Sequence, residues 1–114
     1  MEFRVELAKS AESELEKLYQ WVIERAPRQG ATWFNGLERA ILSLDRHPAR
    51  CRIAPENIDP ESPIRVLHYG RRSHVYRAFF TIDTSARIVR VLHVGRGARR
   101  GPGSEELKAR VPIK

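Results

Sequence analysis

Nine arginines and no lysine fall within residues 64–100, where Asp83 is the one acid. A guanidinium fork grips phosphates and carboxylates with a geometry that an ammonium point charge lacks. The partner that suits this stretch is polyanionic: RNA, DNA held in a complex, or an acidic protein segment. A merely solubilising surface is the plainer alternative. Two of its residues stand apart chemically. Arg77 lies in the strand-like run VYRAFF, where a half-buried arginine calls for a specific carboxylate or phosphate partner. His93, in RVLHV, bears an imidazole, the side-chain type suited to carrying a proton, although most strand histidines are structural. If their strands pair about a turn centred at residue 85, Arg77 and His93 face each other. A slip of one residue separates them onto opposite faces.

The remaining candidates are contact residues. Arg65 lies on the preceding strand-like run, and Arg71 and Arg72 sit beside His68 and His74 around a turn. For the two histidines a solvated hairpin tip is the plainer expectation. Arg96, Arg99 and Arg100 are set among Gly95, Gly97, Gly101 and Gly103, and such glycines let backbone approach a ligand closely. Cys51 is the lone cysteine, flanked by Arg50 and Arg52. With no second thiol and no histidine pattern it reads as an inert thiol, suited to a reducing cytosol. His47, His68, His74 and His93 show neither a helical i, i+4 pair nor zinc-ligand spacing. No helix with a phosphate-loop pattern follows Gly95-Arg96-Gly97. Neither a metal nor another cofactor is expected.

The elements that must hold these residues follow from periodicity. The chain has 114 residues, 41% hydrophobic and 31% charged, enough to bury the core of one domain. Phe3, Val5 and Leu7 alternate with charged residues as a short half-buried strand. Ser10 offers an N-cap to a helix whose stripe is Ala11, Leu15, Leu18, Val22 and Ala26, stopped by Pro27. A second helix is expected over 31–46, with Trp33, Leu37, Ala40, Ile41 and Leu44 as its stripe. The short link Pro27–Gly30 makes the pair an αα-hairpin. Four prolines over 48–63 mark a crossing loop, and the runs 64–69, 74–83 and 87–94 read as three hairpin-connected strands. The order β-α-α-β-β-β defines an α+β fold, with the helical hairpin packed on one face of a mostly antiparallel sheet. The arginines would then occupy the other face or the loops. Charge divides the same way, with −2 over residues 1–63 and +9 over 64–114. Residues 1–100 are expected to form the single domain, and 101–114 an extension that is flexible or a short helix.

Taken together, the helical block AESELEKLYQWVIERAPRQGATWFNGLERAILSLDRHP and the end blocks SHVYRAFFTID and RIVRVLHVGRGARR resemble the RelE/ParE superfamily of toxins from type II toxin–antitoxin systems. The tryptophan-bearing first helix, the His-Pro helix end and the RVLH ending are closer to the ParE branch. The resemblance implies a growth-inhibiting cytoplasmic protein, partnered and silenced by an antitoxin in a heteromeric complex, with no membrane association. For the ParE branch it implies inhibition of DNA gyrase, without a cleavage chemistry of its own. For the RelE branch it implies cutting of messenger RNA on the ribosome.

Within that resemblance, Arg77 matches the strand arginine of the RNA-cleaving branch and Arg65 stands near its preceding basic position. Its C-terminal tyrosine has no counterpart, because residues 95–114 contain neither Tyr nor His. Catalysis, if present, would fall to Arg77 and His93. Target binding would fall to Arg65, Arg71, Arg72, Arg96, Arg99 and Arg100. Two helices on a sheet cannot bury every side of themselves, so some of Tyr19, Trp21, Ile23 and Phe34 should form an exposed apolar groove, the plainer alternatives being padding of the core's far edge or a homodimer contact. The antitoxin is accordingly expected on Leu18, Trp21, Val22, Trp33, Phe34 and Leu37.

Overall fold

A computed structural model describes residues 2–55, 63–71 and 75–96. The first strand, β1, is Arg4–Leu7, and it runs directly into α1, Lys9–Arg25. The second helix, α2, is Pro27–Leu42, and 3₁₀ turns follow at Ser43–Asp45 and Pro48–Arg50. The remaining strands are β2, Arg65–Tyr69, β3, Tyr76–Asp83, and β4, Ile88–Arg96. The sheet order is β1-β4-β3-β2. Strand β1 pairs parallel with β4, while β2–β3 and β3–β4 are antiparallel. This is the expected α+β architecture of a helical hairpin on a mixed, mostly antiparallel sheet.

Two helix boundaries differ from expectation, each for a local reason. Ala8, rather than Ser10, occupies the N-cap of α1. The Ser10 hydroxyl instead donates to the Leu92 carbonyl at 2.8 Å, satisfying a β4 edge group beyond the reach of β1. Pro27 does not lie in a linker; it opens α2, where its fixed φ suits the first turn and its missing N–H costs nothing. Ala26 alone, with φ −150°, separates the two helices. The second helix therefore starts four residues early, and its tail tightens into a 3₁₀ turn at Ser43.

The main core lies between the hairpin and the sheet, where Ala11, Leu15, Phe34, Leu37, Ile41 and Leu44 meet Ala78, Phe80, Val89, Val91 and Val94. Phe34 and Leu37, expected on the docking groove, are only 6% and 1% exposed. At i, i+3 and i+7, Phe34, Leu37 and Ile41 fall on one face of α2, and that is the face packed against the sheet. The reverse face is not bare either. Ala54, Ile64, Val66, Phe79 and Leu92 form a second, smaller core there. Chain 52–54 covers them, bridging Ile53 to Arg65 and donating Ala54 N–H to Ile64 O at 2.7 Å.

Candidate functional site

The geometry around Arg77 and His93 depends on one irregularity. From the turn inward, β3 and β4 pair Asp83 with Ile88, Ile82 with Val89 and Phe80 with Val91. Continued unchanged, that register would put His93 opposite Ala78, inside the helix-side core. A bulge at the Phe79/Phe80 step shifts the pairing, so that Phe79 faces His93, Ala78 faces Val94 and Arg77 faces Gly95. Leu92 is the extra residue on β4, and it fills the second core. Partners in an antiparallel pair share a face, so Arg77, Phe79, His93 and Gly95 all lie on the reverse face. Arg77 and His93 thus share a side as expected, but on the diagonal rather than directly opposite. His68 pairs with Arg77 in the β2–β3 register, which completes a row of His68, Arg77 and Gly95 across three strands.

Glu14 is the residue of this site that sequence reading missed. Strand β1 ends at Leu7, and from there α1 runs along the β4 edge. Glu14 accepts the Val94 N–H at 3.1 Å through Oε1, while Oε2 lies 2.7 Å from His93 Nδ1. A carboxylate can only accept, so neutral His93 carries its proton on Nδ1, and Nε2 is the basic nitrogen. The two side chains are 15% and 27% exposed. The imidazole tilts over Phe79 at 5.7 Å between centroids, and the Arg77 guanidinium lies 4.8 Å above the same ring. A Cβ on Gly95 would come within 2.7 Å of His93 Nε2, so glycine is what leaves room for the ring. Only the helical position of Glu14 as an i+4 neighbour of Ser10, which also reaches the β4 edge, hinted at this role in the sequence.

Several arginines are committed to the fold. Arg65 Nη1 donates to the Cys51 carbonyl at 2.6 Å and to Ala49 at 3.3 Å. It anchors the crossing segment, which limits its availability to a target. Arg90 pairs with Glu6 at 2.9 Å across the parallel strands. Arg71 is exposed at the end of β2, and Arg96 closes β4 opposite Tyr76. Arg72, Arg99, Arg100 and His74 lie outside the described residues. Cys51 is buried, and burial pushes its thiol pKa up against the opposing pull of Arg50 and Arg65.

A second feature lies at the other end of the hairpin. A cleft of about 770 Å³ opens between the α1–α2 corner and the β2–β3 end, lined among others by Trp21, Val22, Trp33, Tyr69 and Tyr76. Trp33 packs edge-on against Tyr69 at 5.5 Å and Tyr76 at 5.0 Å. The Tyr69 hydroxyl donates to the Trp33 carbonyl at 2.9 Å. Trp21 and Tyr19 are 49% and 43% exposed, and Leu18, Val22 and Trp33 are half-buried. Tyr19 covers Phe34 at 5.0 Å. Of Tyr19, Trp21, Ile23 and Phe34, expected to leave a groove on the hairpin, Trp21 lines this cleft, whose far wall is Tyr69 of β2 and Tyr76 of β3. Among the described residues, no helix is long and apolar enough to cross a membrane.

The family model for the ParE toxin of type II toxin–antitoxin systems matches residues 5–101. The chain belongs to the ParE toxin family. It is a type II toxin of the RelE/ParE superfamily, as its sequence blocks suggested. Solved structures share the fold. The P. aeruginosa chromosomal ParDE system matches with a TM-score of 0.63 at 14% identity, over 82% of this chain and 95% of that one. An arginine-substituted E. coli RelE in the free state matches at 0.59 and 18%, over 96% and 94%. The RelBE2 toxin–antitoxin complex of M. tuberculosis matches at 0.52 and 24%, over 87% and 95%. Among proteins of curated function, none matches at a significant level. At these identities the solved structures establish the fold of this ParE-family toxin and leave its target to be argued from residues.

Proposed function

We propose that this ParE-family toxin acts in the cytoplasm by binding and inhibiting DNA gyrase, and that a cognate antitoxin silences it by covering Leu18, Trp21, Val22 and Trp33. The observation that carries the reading is the ParE-family match across residues 5–101. The residue inventory supports it. Residues 64–107 contain no lysine and residues 95–114 no tyrosine or histidine, so the acid–base set that RNA cleavage needs is thin. Target contact falls to Arg71, Arg72, Arg96, Arg99 and Arg100. Arg65, tied to the 49–51 backbone, contributes by holding the fold. Residues 1–100 serve as the toxin domain and 101–114 as its extension.

The test is supercoiling by purified gyrase at a molar excess of toxin. Inhibition is expected, and replacing Arg96, Arg99 and Arg100 together with alanine should weaken it at least tenfold. Full supercoiling in the presence of folded toxin would reject the reading.

One observation favours the endonuclease alternative. The β4 bulge puts Arg77 and His93 on one face, and Glu14 orients the imidazole with Nε2 as its base. That pair could take a 2′-OH proton and hold the phosphate as charge develops on it. On this reading the toxin cleaves message on translating ribosomes, and Arg77→Ala abolishes cleavage without loss of fold. Message left intact by active translation mixtures containing toxin would remove it.

A further inference from the structure

Among the described residues the exposed large hydrophobic side chains are Tyr19, Trp21, Leu42 and Ile53. The first two belong to the first helix. Leu42, at the end of α2, and Ile53, beside β2, are 59% and 48% exposed. Ile53 stands at the outer edge of the sheet and bridges antiparallel to Arg65. Ala54 N–H donates to Ile64 O at 2.7 Å and Val66 N–H to Arg52 O at 3.0 Å. In that pattern the N–H and C=O of Ile53 itself point away from β2. The two segments that build this edge, 46–53 and 64–71, hold five arginines and no acid. We propose that an extended, acidic segment of the toxin's target adds to the sheet at Ile53. Its backbone pairs with the outward N–H and C=O, an apolar side chain packs on Ile53 on the helix side, and carboxylates reach Arg50 and Arg52. The proposal rests on the gyrase reading and deepens it, placing a target contact outside the basic strand ends.

Charge, alternation and preorganisation select this occupant. Cys51 belongs to the helix-side core and Ala54 to the reverse core, so alternation along 51–54 puts Ile53 on the helix side and Arg52 on the reverse side. A strand with an apolar residue between acidic ones matches that arrangement, since edge pairing draws affinity from the backbone and specificity from alternate side chains. Arg46 is already paired with Glu2 at 3.2 Å, which leaves Arg50 and Arg52 as the nearest cations. Arg50 is held in place: its Nη1 donates to the carbonyls of Arg46 at 2.7 Å and His47 at 3.2 Å, and its Nη2 to Ser43 Oγ at 2.9 Å. Arg65 fixes the same segment through the Cys51 carbonyl at 2.6 Å. Little side-chain entropy is therefore lost when a carboxylate pairs there.

Other occupants fit less well. A second copy paired edge to edge would set arginine against arginine. A single-stranded nucleic acid needs exposed rings for stacking, and residues 46–53 contain no Phe, Tyr or Trp. Charge alone would be enough to guard an edge from unwanted pairing, and such an edge has no use for an isoleucine with half its surface in water.

The experiment titrates purified gyrase with the full chain and its variants, reading supercoiling, and circular dichroism checks that each variant keeps the fold. Ile53→Pro removes an N–H that points outward and so breaks no bond to β2. Ile53→Asp sets a carboxylate against the incoming acidic segment, and Ile53→Val keeps both the N–H and an apolar side chain. Half-inhibition by Ile53→Pro and by Ile53→Asp should each take about tenfold more toxin, with Ile53→Val at wild-type strength. Arg52→Glu should also weaken inhibition. Lys17→Glu, the same charge change at an exposed position on α1, should not.

Wild-type inhibition by folded Ile53→Pro and Ile53→Asp would overturn the proposal. So would a loss in Arg52→Glu with both Ile53 variants at full strength, a pattern that marks a phosphate contact instead of strand addition. Equal losses in Arg52→Glu and Lys17→Glu would reduce the edge to net charge and overturn it as well. The wild-type arm tests the underlying reading by itself. If the folded wild-type chain leaves supercoiling complete, the gyrase reading fails and the proposed occupant goes with it.

Discussion

Around His93 the decisive interactions are a carboxylate on one side and an absent methyl group on the other. Glu14 holds Nδ1 at 2.7 Å, and Gly95 leaves the space beside Nε2. Replacing Gly95 with alanine should turn the imidazole away from Glu14 and cost about 1–3 kcal/mol through overpacking. Glu14→Gln should cost a similar amount, about 1–3 kcal/mol, by exchanging a charged acceptor for a neutral one. Denaturant unfolding measures both costs, and the His93 imidazole resonances show whether the ring has moved. An unshifted ring in Gly95→Ala would contradict the packing argument. Cys51 offers a pH test at the same scale. Its pKa is raised by burial, so the folded state keeps the proton to higher pH than the unfolded chain does. Its contribution to stability is therefore present below the ordinary thiol pKa and lost as pH rises through the raised one. Alkylation of the folded chain at mildly alkaline pH should be slow compared with the denatured chain. Equal rates would show that the thiol is not held as described.

At the level of elements, alternation and helical spacing were enough to read the order of strands and helices, the hairpin and the sheet. The boundaries were less legible. Pro27 reads as a stop in isolation, yet a proline is equally suited to opening a helix, and the packing of the hairpin decides between them. Phe34 and Leu37, expected in the groove, share the sheet-facing stripe of α2 with Ile41 and are buried in the core. The β4 bulge was illegible for a different reason. Val91, Leu92 and Val94 are all apolar, and that run allows more than one register until Phe79 and Phe80 are assigned to separate cores. Without the bulge, the shared face of Arg77 and His93 could be stated only conditionally. Glu14 was invisible because it looks like any acid in the first turns of a helix.

The contact between α2 and β2 is open to a direct test. A Cβ on Gly36 would collide with the Tyr69 hydroxyl, the group that bonds the Trp33 carbonyl. Tyr69→Phe should cost about 1 kcal/mol and Gly36→Ala about 1–3 kcal/mol. In the Tyr69→Phe background the penalty at Gly36 should shrink, because the colliding oxygen is gone and alanine favours a helix by about 1 kcal/mol. A double-mutant cycle by thermal or denaturant unfolding measures that coupling. Strict additivity would show that the two groups do not meet as described.

For the molecule as a whole, the charge division read from the sequence maps onto the fold with two amendments. The reverse face of the sheet carries a small apolar core, so the basic groups gather around it and at the strand ends instead of covering an open face. Some arginines hold the fold together, as Arg65 does at the 49–51 turn and Arg90 does to Glu6. Net charge alone therefore overstates the surface available to a polyanion. What remains is a molecule with an aromatic cleft at one corner and basic strand ends nearby.

Gyrase inhibition is the central functional claim, and growing cells give the most direct test of it. Toxin is induced in a bacterial host, and gyrase-linked DNA breaks are measured alongside the integrity of a reporter message over the same minutes. Gyrase-linked breaks are expected to accumulate as growth stops while the message stays whole. Message cut within its coding region, with gyrase-linked breaks unchanged, would contradict it and place the activity at Arg77 and His93.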